Sequence, residues 1–355
     1  MKPLRPPIEP LTIGLVFETF DTYAALPGEP PDAHVEYEPL ETVELLERAV
    51  EVLGHRSRRL GGPKALLSAV AAGSLGPVDA VWNIAEGYGS RNRESWAPSL
   101  LEMAGIPCLG SDGLSLSMSL DKVWANAWAA AAGVPVAPQC VMGSRAEAES
   151  AELPGPFPLF VKPRWEGTSK GIRRSSRVED RPGLVQEIAR IVERYAQPAL
   201  VETFLPGAEY TVTVVGHRPP RALPVLQRAL ETSSRIGLHA LEGAGGAEPS
   251  GGFDHCLPGD LAPPLEARLQ TLALRAFAHF ECLDFARVDF RLDAGGAPVF
   301  LELNPLPTFA PDGSFGILAE LEGRPAEALL ADVLESGLNR LGLRAPPARL
   351  PNTQR

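Results

Sequence analysis

The chain has 355 residues, a formal net charge of −11, and ordinary shares of apolar (45%) and charged (22%) side chains. That length is large for one compact unit and provides for two or three domains with a sizeable core. An acidic balance implies no basic face, which argues against nucleic acid as a main partner, and no stretch approaches the roughly 20 apolar residues of a membrane helix. The four cysteines (Cys108, Cys140, Cys256, Cys282) are widely spaced and lack any zinc pattern. The proline-rich N-terminus leads directly into a strand rather than a signal sequence. Both features point to a reducing cytoplasm.

Leu11–Glu18 reads as a buried opening strand, and Thr42–Leu53 has helical spacing, with Leu45, Leu46, Ala49, Val50 and Leu53 on one face. Val78–Ile84 is a second short strand, Ser95–Ala104 a helix ended by Gly105, and Ile106–Leu109 a third strand. This alternation is an open α/β layer with parallel strands. Gly110–Ser119 reads as a Ser/Gly-rich connector, and Asp121–Ala132 as a helix capped by Gly133. Strands at Val136–Met142 and Leu159–Lys162 flank a short helix near Arg145–Ala151. The loop Glu166–Gly171, the helix Pro182–Tyr195 and the strand Ala199–Phe204 follow. Strands at Tyr210–Val215 and Ala222–Gln227 precede a glycine-rich irregular stretch, Glu231–Cys256, long enough to be functional or mobile. After the helix Pro264–Phe280 comes the most informative segment, Phe285–Leu306, and beyond Ala345 a proline-rich tail.

Phe285–Leu306 reads as a hairpin: Arg287–Leu292 alternates apolar and polar residues, Asp293-Ala294-Gly295-Gly296 turns, and Pro298–Leu303 returns. Alternation puts Arg287, Asp289, Glu302 and Asn304 on one face and Val288, Phe290, Val299 and Leu301 on the other, toward a core. Two carboxylates and an amide oxygen form a hard, oxygen-only set of the kind Mg²⁺ prefers, completed by water and phosphate oxygens. A salt-bridged, solvated face is the plainer reading of the same residues.

Lys162 ends the run LFVKP and is followed by Glu166-Gly167-Thr168-Ser169-Lys170-Gly171. A strand-end lysine beside a loop of small residues can hold a polyphosphate, through its ammonium and the loop's N–H groups, although such loops are more often plain turns. Glu202 and Glu209 stand at the end of one strand and the start of the next, where they could take an amino group and a ribose hydroxyl. Lys122 reads equally as an ordinary helix-start lysine. His34, His55, His217, His255 and His279 show no pairing pattern. Trp82, Trp96, Trp124 and Trp128 suit core packing, and Trp165 could line a site.

The order of these pieces carries more than any one of them. Lys122, VKP at 161–163, EGTSKG, VETFLPGAEYTV, RVDFRL and FLELNP together resemble the ATP-grasp superfamily, and within it the D-alanine–D-alanine ligase branch, over roughly residues 75–320. The resemblance implies a three-domain α/β (α+β) ATP-grasp fold. Its parts would be an N-terminal open parallel α/β substrate domain at 1–118, a small central lid domain at 119–206, and a C-terminal antiparallel-sheet catalytic domain at 207–345, with a tail at 346–355. It implies ATP held by Lys122, Lys162, Thr168, Ser169, Glu202, Leu205 and Glu209. Two Mg²⁺ ions, or Mn²⁺ in their place, would sit on Asp289, Glu302 and Asn304, and the catalytic set would be Arg287, Lys162 and Ser169. The implied chemistry is activation of a carboxylate as an acyl phosphate and its capture by an amine, on small-molecule substrates, in a homodimer.

Departures from the branch concentrate in the amino-acid pockets. Where the branch has a His-Gly pair, this chain has Glu86-Gly87, followed by Arg91, Arg93 and Glu94, which could recognise a carboxylate. Glu18 is a loose counterpart of the branch's early glutamate, and Ser314 of its acceptor-binding serine. The branch's lysine- and tyrosine-bearing loop falls within 231–248, which contains neither residue, leaving Arg228, Arg235 or His239 to substitute. The expectation is a ligase whose substrate differs from two D-alanines. The alternatives are a non-catalytic ATP-binding regulatory protein of this fold and a genuine D-alanine–D-alanine ligase. A dinucleotide enzyme is excluded because no G-x-G-x-x-G follows the first strand, where Gly14-Leu15-Val16-Phe17 stands.

Overall fold

The computed structural model describes residues 9–25, 27–237 and 261–343, and the backbone alone of Phe253–Asp254. His239, His255, Cys256, most of the glycine-rich stretch and the tail beyond Ala345 lie outside the described residues. Three sheets carry the architecture. The first is parallel, in the order β2-β1-β3-β4, from β1 (Thr12–Val16), β2 (Arg56–Gly61), β3 (Ala80–Asn83) and β4 (Cys108–Leu109). Ile13, Leu15 and Val16 are fully buried, as expected of a strand covered on both faces. Helix α1 (Leu40–Val52) packs Val43, Leu46 and Val50 against it, and α2 (Pro63–Ala71) and α3 (Trp96–Met103) cover the other face.

Two expectations fail here. Strand β2, RSRRLG, escaped the reading because it is a mostly exposed edge strand whose charges protect the edge and leave no apolar period. Gly110–Ser119 is not a connector: Gly113–Leu120 is a helix (α4) whose start is fixed by Asp112, which accepts a hydrogen bond from Ser115 N at 2.9 Å.

Helix α5 (Lys122–Ala131) follows immediately, capped by Asp121. The same carboxylate, fully buried, accepts two bonds of 2.8 Å from Arg164 and one of 3.1 Å from Trp165 Nε1. It therefore ties the start of α5 to the strand that precedes the glycine-containing loop. Trp124 and Trp128 are not core residues: they are 50% and 41% exposed on this helix, Trp128 donating to His279 O.

The second sheet is antiparallel, β5-β8-β6-β7, from β5 (Gln139–Met142), β6 (Leu159–Pro163), β7 (Arg177–Val178) and β8 (Ala199–Thr203). Helices α6 (Arg145–Ser150) and α7 (Arg181–Tyr195) close its back through Ala148, Leu184, Ile188 and Ile191. The strand expected from Val136 starts only at Gln139, Val136 making a lone bridge to Phe300.

The third sheet, also antiparallel, joins β9 (Glu209–Val215) to β14 (Phe285–Leu292) and β14 to β15 (Pro298–Asn304). Short strands β10 (Arg221–Ala222) and β11 (Leu226–Gln227) lie on the far side of β9. The expected single strand over 222–227 is thus two pieces, interrupted around Pro224, which has no N–H for a ladder. Strands β12 (Leu230–Glu231) and β13 (Phe253–Asp254) pair separately. Helix α8 (Pro263–His279) packs Leu269, Ala273 and Phe277 onto the sheet's back. Helices α9 (Ser314–Leu321) and α10 (Ala326–Arg340) return to the first sheet and pack near α1. Among the described residues no helix is long and apolar enough to cross a membrane.

Register in the β14–β15 hairpin corrects the sequence reading. Arg287 faces Asn304 and Asp289 faces Glu302, but Phe290 then faces Phe300, so Leu301 is a bulge residue. A one-residue slip exchanges faces. Phe300 therefore turns into the core with Phe290. Val299 and Leu301, expected in that core, instead join Ala137 and Leu205 on the opposite side.

Candidate functional site

The bulge places polar and apolar residues side by side on the open face of the third sheet, and the second sheet stands opposite. Between them lies a cleft lined by Lys122, Lys162, Ser169, Lys170, Arg228, Arg287, Asp289 and Glu302 at its polar end. Phe160, Ile172, Phe204, Leu205, Ile236 and Leu301 line its apolar end.

At the polar end, Arg287 Nε lies 3.0 Å from Asp289 Oδ2, and its Nη2 lies 3.8 Å from Glu302 Oε1. Asp289 also accepts from Thr211 Oγ1 at 2.8 Å, which fixes it from β9. Lys122 is the first residue of its helix, where a cation opposes the helix dipole. Its Nζ is held there by Glu302 Oε2 at 2.9 Å. Burial pushes both carboxyls up, but for Glu302 the charges of Lys122 and Arg287 win and hold it well below the usual range. For Asp289 burial prevails over Arg287, and Glu302 reinforces the rise. Asn304 presents Nδ2 at 3.5 Å from Asp289 and 3.4 Å from Glu302. The carboxyl pair is now neutralised by side-chain cations. Its facing position and all-oxygen chemistry suit a hard divalent ion, with Asn304 turned to offer its oxygen. Among the described residues no three His, Cys, Asp or Glu groups converge on one point, so such an ion would take its other ligands from water and a bound phosphate.

Lys162 on β6 reaches across the sheet to Glu202 on β8, 2.8 Å away, with both side chains buried. Phe204 has Arg177 and Arg291 over its ring at 4.7 and 5.3 Å, and Arg291 in turn meets Glu209 at 3.5 Å. An apolar slot ending in carboxylates, with ammonium groups farther in, can take a flat base at one end and a polyphosphate at the other. Arg228 lies beside Arg287, and burial together with that neighbour lowers its pKa. Arg235, a second of the three expected substitutes, donates to Pro206 O.

The loop Glu166–Gly171 closes one side of the cleft, with Thr168 and Ser169 in left-handed backbone at φ 44° and 57°. Thr168 is exposed while Ser169 lines the cleft. Lys170, quoted in the sequence only as part of the loop, is buried and meets Glu36 and Glu166, each at 2.7 Å. Sequence reasoning missed Glu36 and Asp32 altogether. Both sit in the turn-rich stretch before α1, where nothing local distinguishes them from surface acids.

The substrate-side expectations fare unevenly. Glu18 accepts from Gly87 N at 3.0 Å, and burial raises its carboxyl. Burial and the neighbouring Glu36 and Glu94 push Glu86 well up. Glu94, buried, rises to about 7, with burial the main cause and Glu36 adding to it, while Arg93 opposes. The expected arginine fork does not form. Arg93 is taken by Glu36 at 2.7 Å and Trp165 O at 2.9 Å, while Arg91 lies over Trp124 and Trp165 at 5.2 and 5.5 Å. Ser314 starts α9, buried, with no partner for its Oγ, and does not line the cleft.

With this geometry in hand, comparisons with known proteins are informative. Residues 129–335 match the family model described as D-ala D-ala ligase C-terminus. The chain is 31% identical over 269 residues to the D-alanine–D-alanine ligase of Gluconobacter oxydans, covering 75% of this chain and 84% of that one. Among solved structures, the VanG D-Ala:D-Ser ligase of Enterococcus faecalis superposes with a TM-score of 0.69 at 19% identity, covering 93% of this chain and 100% of the other. The D-alanine–D-alanine ligase of Bacillus anthracis complexed with ATP gives 0.68 at 17% identity, covering 94% and 99%. These two structural likenesses are of fold.

Proposed function

Because the chain belongs to the D-alanine–D-alanine ligase family of ATP-grasp enzymes, which form C–N bonds, we propose that it joins a carboxylate to an amine using Mg·ATP, with a substrate other than a pair of D-alanines. The observation that carries this reading is one cleft uniting Lys122, Lys162, Arg287, Asp289 and Glu302.

In this reading the base of ATP enters the slot between Phe204 and Leu301, near Glu202 and Leu205, and Glu209 takes the ribose. Lys122 and Lys162 hold phosphate oxygens, and Thr168 and Ser169 cover them. Asp289, Glu302 and Asn304 hold the metal, two ions where the site is full. Bound Mg²⁺ neutralises phosphate charge and polarises the transferring group. Arg287 supplies donors to the charge that develops as the acyl phosphate forms and as the amine attacks it. ADP leaves as the carboxylate takes the phosphoryl group; the amine then bonds to the acyl carbon, its proton passes to solvent, phosphate leaves, and an amide remains.

Support for a different substrate lies at position 86. Where the branch has a His-Gly pair this chain carries Glu86, whose carboxyl burial pushes well up, and Arg93 beside it is committed to Glu36.

Phosphate release from Mg·ATP, measured across amino acids, dipeptides and small carboxylic acids with mass spectrometry of the products, tests the reading. Release requiring a particular pair, with a product lighter than their sum by one water, is the expected result. Dialanine from D-alanine alone would overturn the substrate reading. Tight nucleotide binding without release for any pair would overturn the ligase reading in favour of a regulatory one. Lys162→Ala should raise the KM for ATP roughly ten- to hundredfold, the loss of one charge-assisted contact. An unchanged KM in steady-state assays would remove Lys162 from the phosphate site.

A further inference from the structure

We propose that Glu36 and Asp32 are positioning residues that hold the loop Glu166–Gly171 closed over the cleft from the N-terminal side of the molecule. Neither lines the cleft, so each acts through the loop. The proposal rests on the loop's covering role in the reading above, but half of its test does not need that role.

Glu36 is 4% exposed and makes three contacts with charged or backbone donors. Its Oε1 accepts from Gly167 N at 2.8 Å and from Arg93 Nη2 at 2.7 Å, and its Oε2 accepts from Lys170 Nζ at 2.7 Å. Glu166 completes a quartet, 2.7 Å from Lys170 and 3.7 Å from Arg93. Two carboxylates and two cations balance with the loop in place, and Glu166 and Lys170 both leave with it. Swinging the loop away would leave Glu36 and Arg93 buried without half their partners, a state a protein interior disfavours strongly.

Burial pushes the Glu36 carboxyl up, yet Arg93 and Lys170 outweigh it and hold it down to about 2. Asp32 grips the other end of the loop. Its Oδ2 accepts from Gly171 N at 2.9 Å and from Tyr195 Oη at 2.8 Å, while Arg190 holds Gly171 O at 2.6 Å.

An independent sign lies in the loop's own sequence. A Cβ on residue 167 would sit 2.8 Å from Glu36 Oε1, so glycine there is what lets the carboxylate reach the backbone N–H. Lys170 supplies the cation at the right distance beyond it. The contacts run from Asp32, Glu36 and Arg93 to Glu166, Gly167, Lys170 and Gly171 of the loop.

The test uses the full-length protein and two readouts. Limited trypsin digestion without nucleotide, mapped by mass spectrometry, reads opening of the loop at Lys170 and Arg173. Glu36→Gln should speed cleavage at those bonds about tenfold relative to bonds elsewhere. Steady-state kinetics should show the KM for Mg·ATP raised by a similar factor. Uniform destabilisation would leave that KM alone, because a smaller active fraction lowers only kcat.

Asp32→Asn, which keeps size and shape, should give the same pattern more weakly, and it decides the matter where Glu36→Gln does not fold. Cleavage at Lys170 and Arg173 unchanged, or faster only in step with bonds throughout the chain, would overturn the proposal. Faster cleavage confined to the loop with an unchanged KM would establish the latch and overturn the nucleotide-covering role of the loop instead.

Discussion

Glu302→Gln is expected to lower turnover by roughly a thousandfold or more while leaving the fold intact. The side chain keeps its length, so the hairpin contacts of β15 and the core residues Phe300 and Leu303 are not disturbed. What changes is charge. Glu302 faces Asp289 across the hairpin, and the two carboxylates are the anionic part of the proposed cation site. Halving that charge weakens a divalent ion sharply, and the charge neutralisation such an ion gives a phosphoryl transfer is several kcal/mol. The substitution also leaves Lys122 Nζ, 2.9 Å from Glu302 Oε2, without its anionic partner. The loss should therefore show in the Mg²⁺ concentration needed for half-maximal rate, which should rise, with Mn²⁺ giving partial recovery. Circular dichroism and thermal melting should report an intact fold. Full activity with an unchanged Mg²⁺ dependence would remove Glu302 from the metal set and leave its ion pair with Lys122 as its whole role.

The placement of the charged residues of that hairpin was legible because strand alternation is local. Arg287, Asp289, Glu302 and Asn304 fall on one face from spacing alone, and the structure keeps them there. The bulge at Leu301 was not legible, since one extra residue leaves the run of apolar and polar residues looking regular while exchanging the faces of everything beyond it. That is why Leu301 lines the cleft instead of the core. Strand β2 was invisible for the opposite reason: an edge strand needs no buried face and so carries no period. Helix α4 looked like a linker because its serines alternate with apolar residues, and only the cap at Asp112 announces it.

The latch was out of reach in principle. Glu36 meets Gly167 and Lys170 across 131 and 134 residues of chain. No local pattern links positions that far apart, and an acid before a helix has many ordinary explanations. The arginine fork failed in the same way: Arg93 is where the sequence suggested, but a partner from elsewhere claims it. Local patterning thus gave the anionic hairpin and the phosphate-binding candidates, whereas the partners that decide which charges remain available for substrate come from tertiary structure.

Arg287→Lys separates those two kinds of information most clearly. Lysine preserves the positive charge, so Asp289 and Glu302 stay compensated and the protein should melt close to the wild-type temperature. It does not preserve the fork. Arg287 approaches Asp289 through both Nε and Nη2, at 3.0 Å each to Oδ2, and lies within 3.8 Å of Glu302. That edge-on hold turns the planar guanidinium into a fixed donor group, which an ammonium on a flexible stem cannot reproduce. Donors aimed at charge that develops only in the transition state act on the rate more than on ground-state binding. The expected result is a kcat lower by about 10²–10³, the usual effect of removing such a donor, with the KM for ATP changed far less. Lys162→Ala should show the reverse, a raised KM with a smaller loss of kcat. If Arg287→Lys instead raises KM and spares kcat, the guanidinium holds bound nucleotide and the transition-state role falls. If neither parameter moves, the hairpin arginine is a structural counter-ion to Asp289, and the catalytic assignment must pass to another cation lining the same cleft, such as Lys122, Lys162 or Arg228.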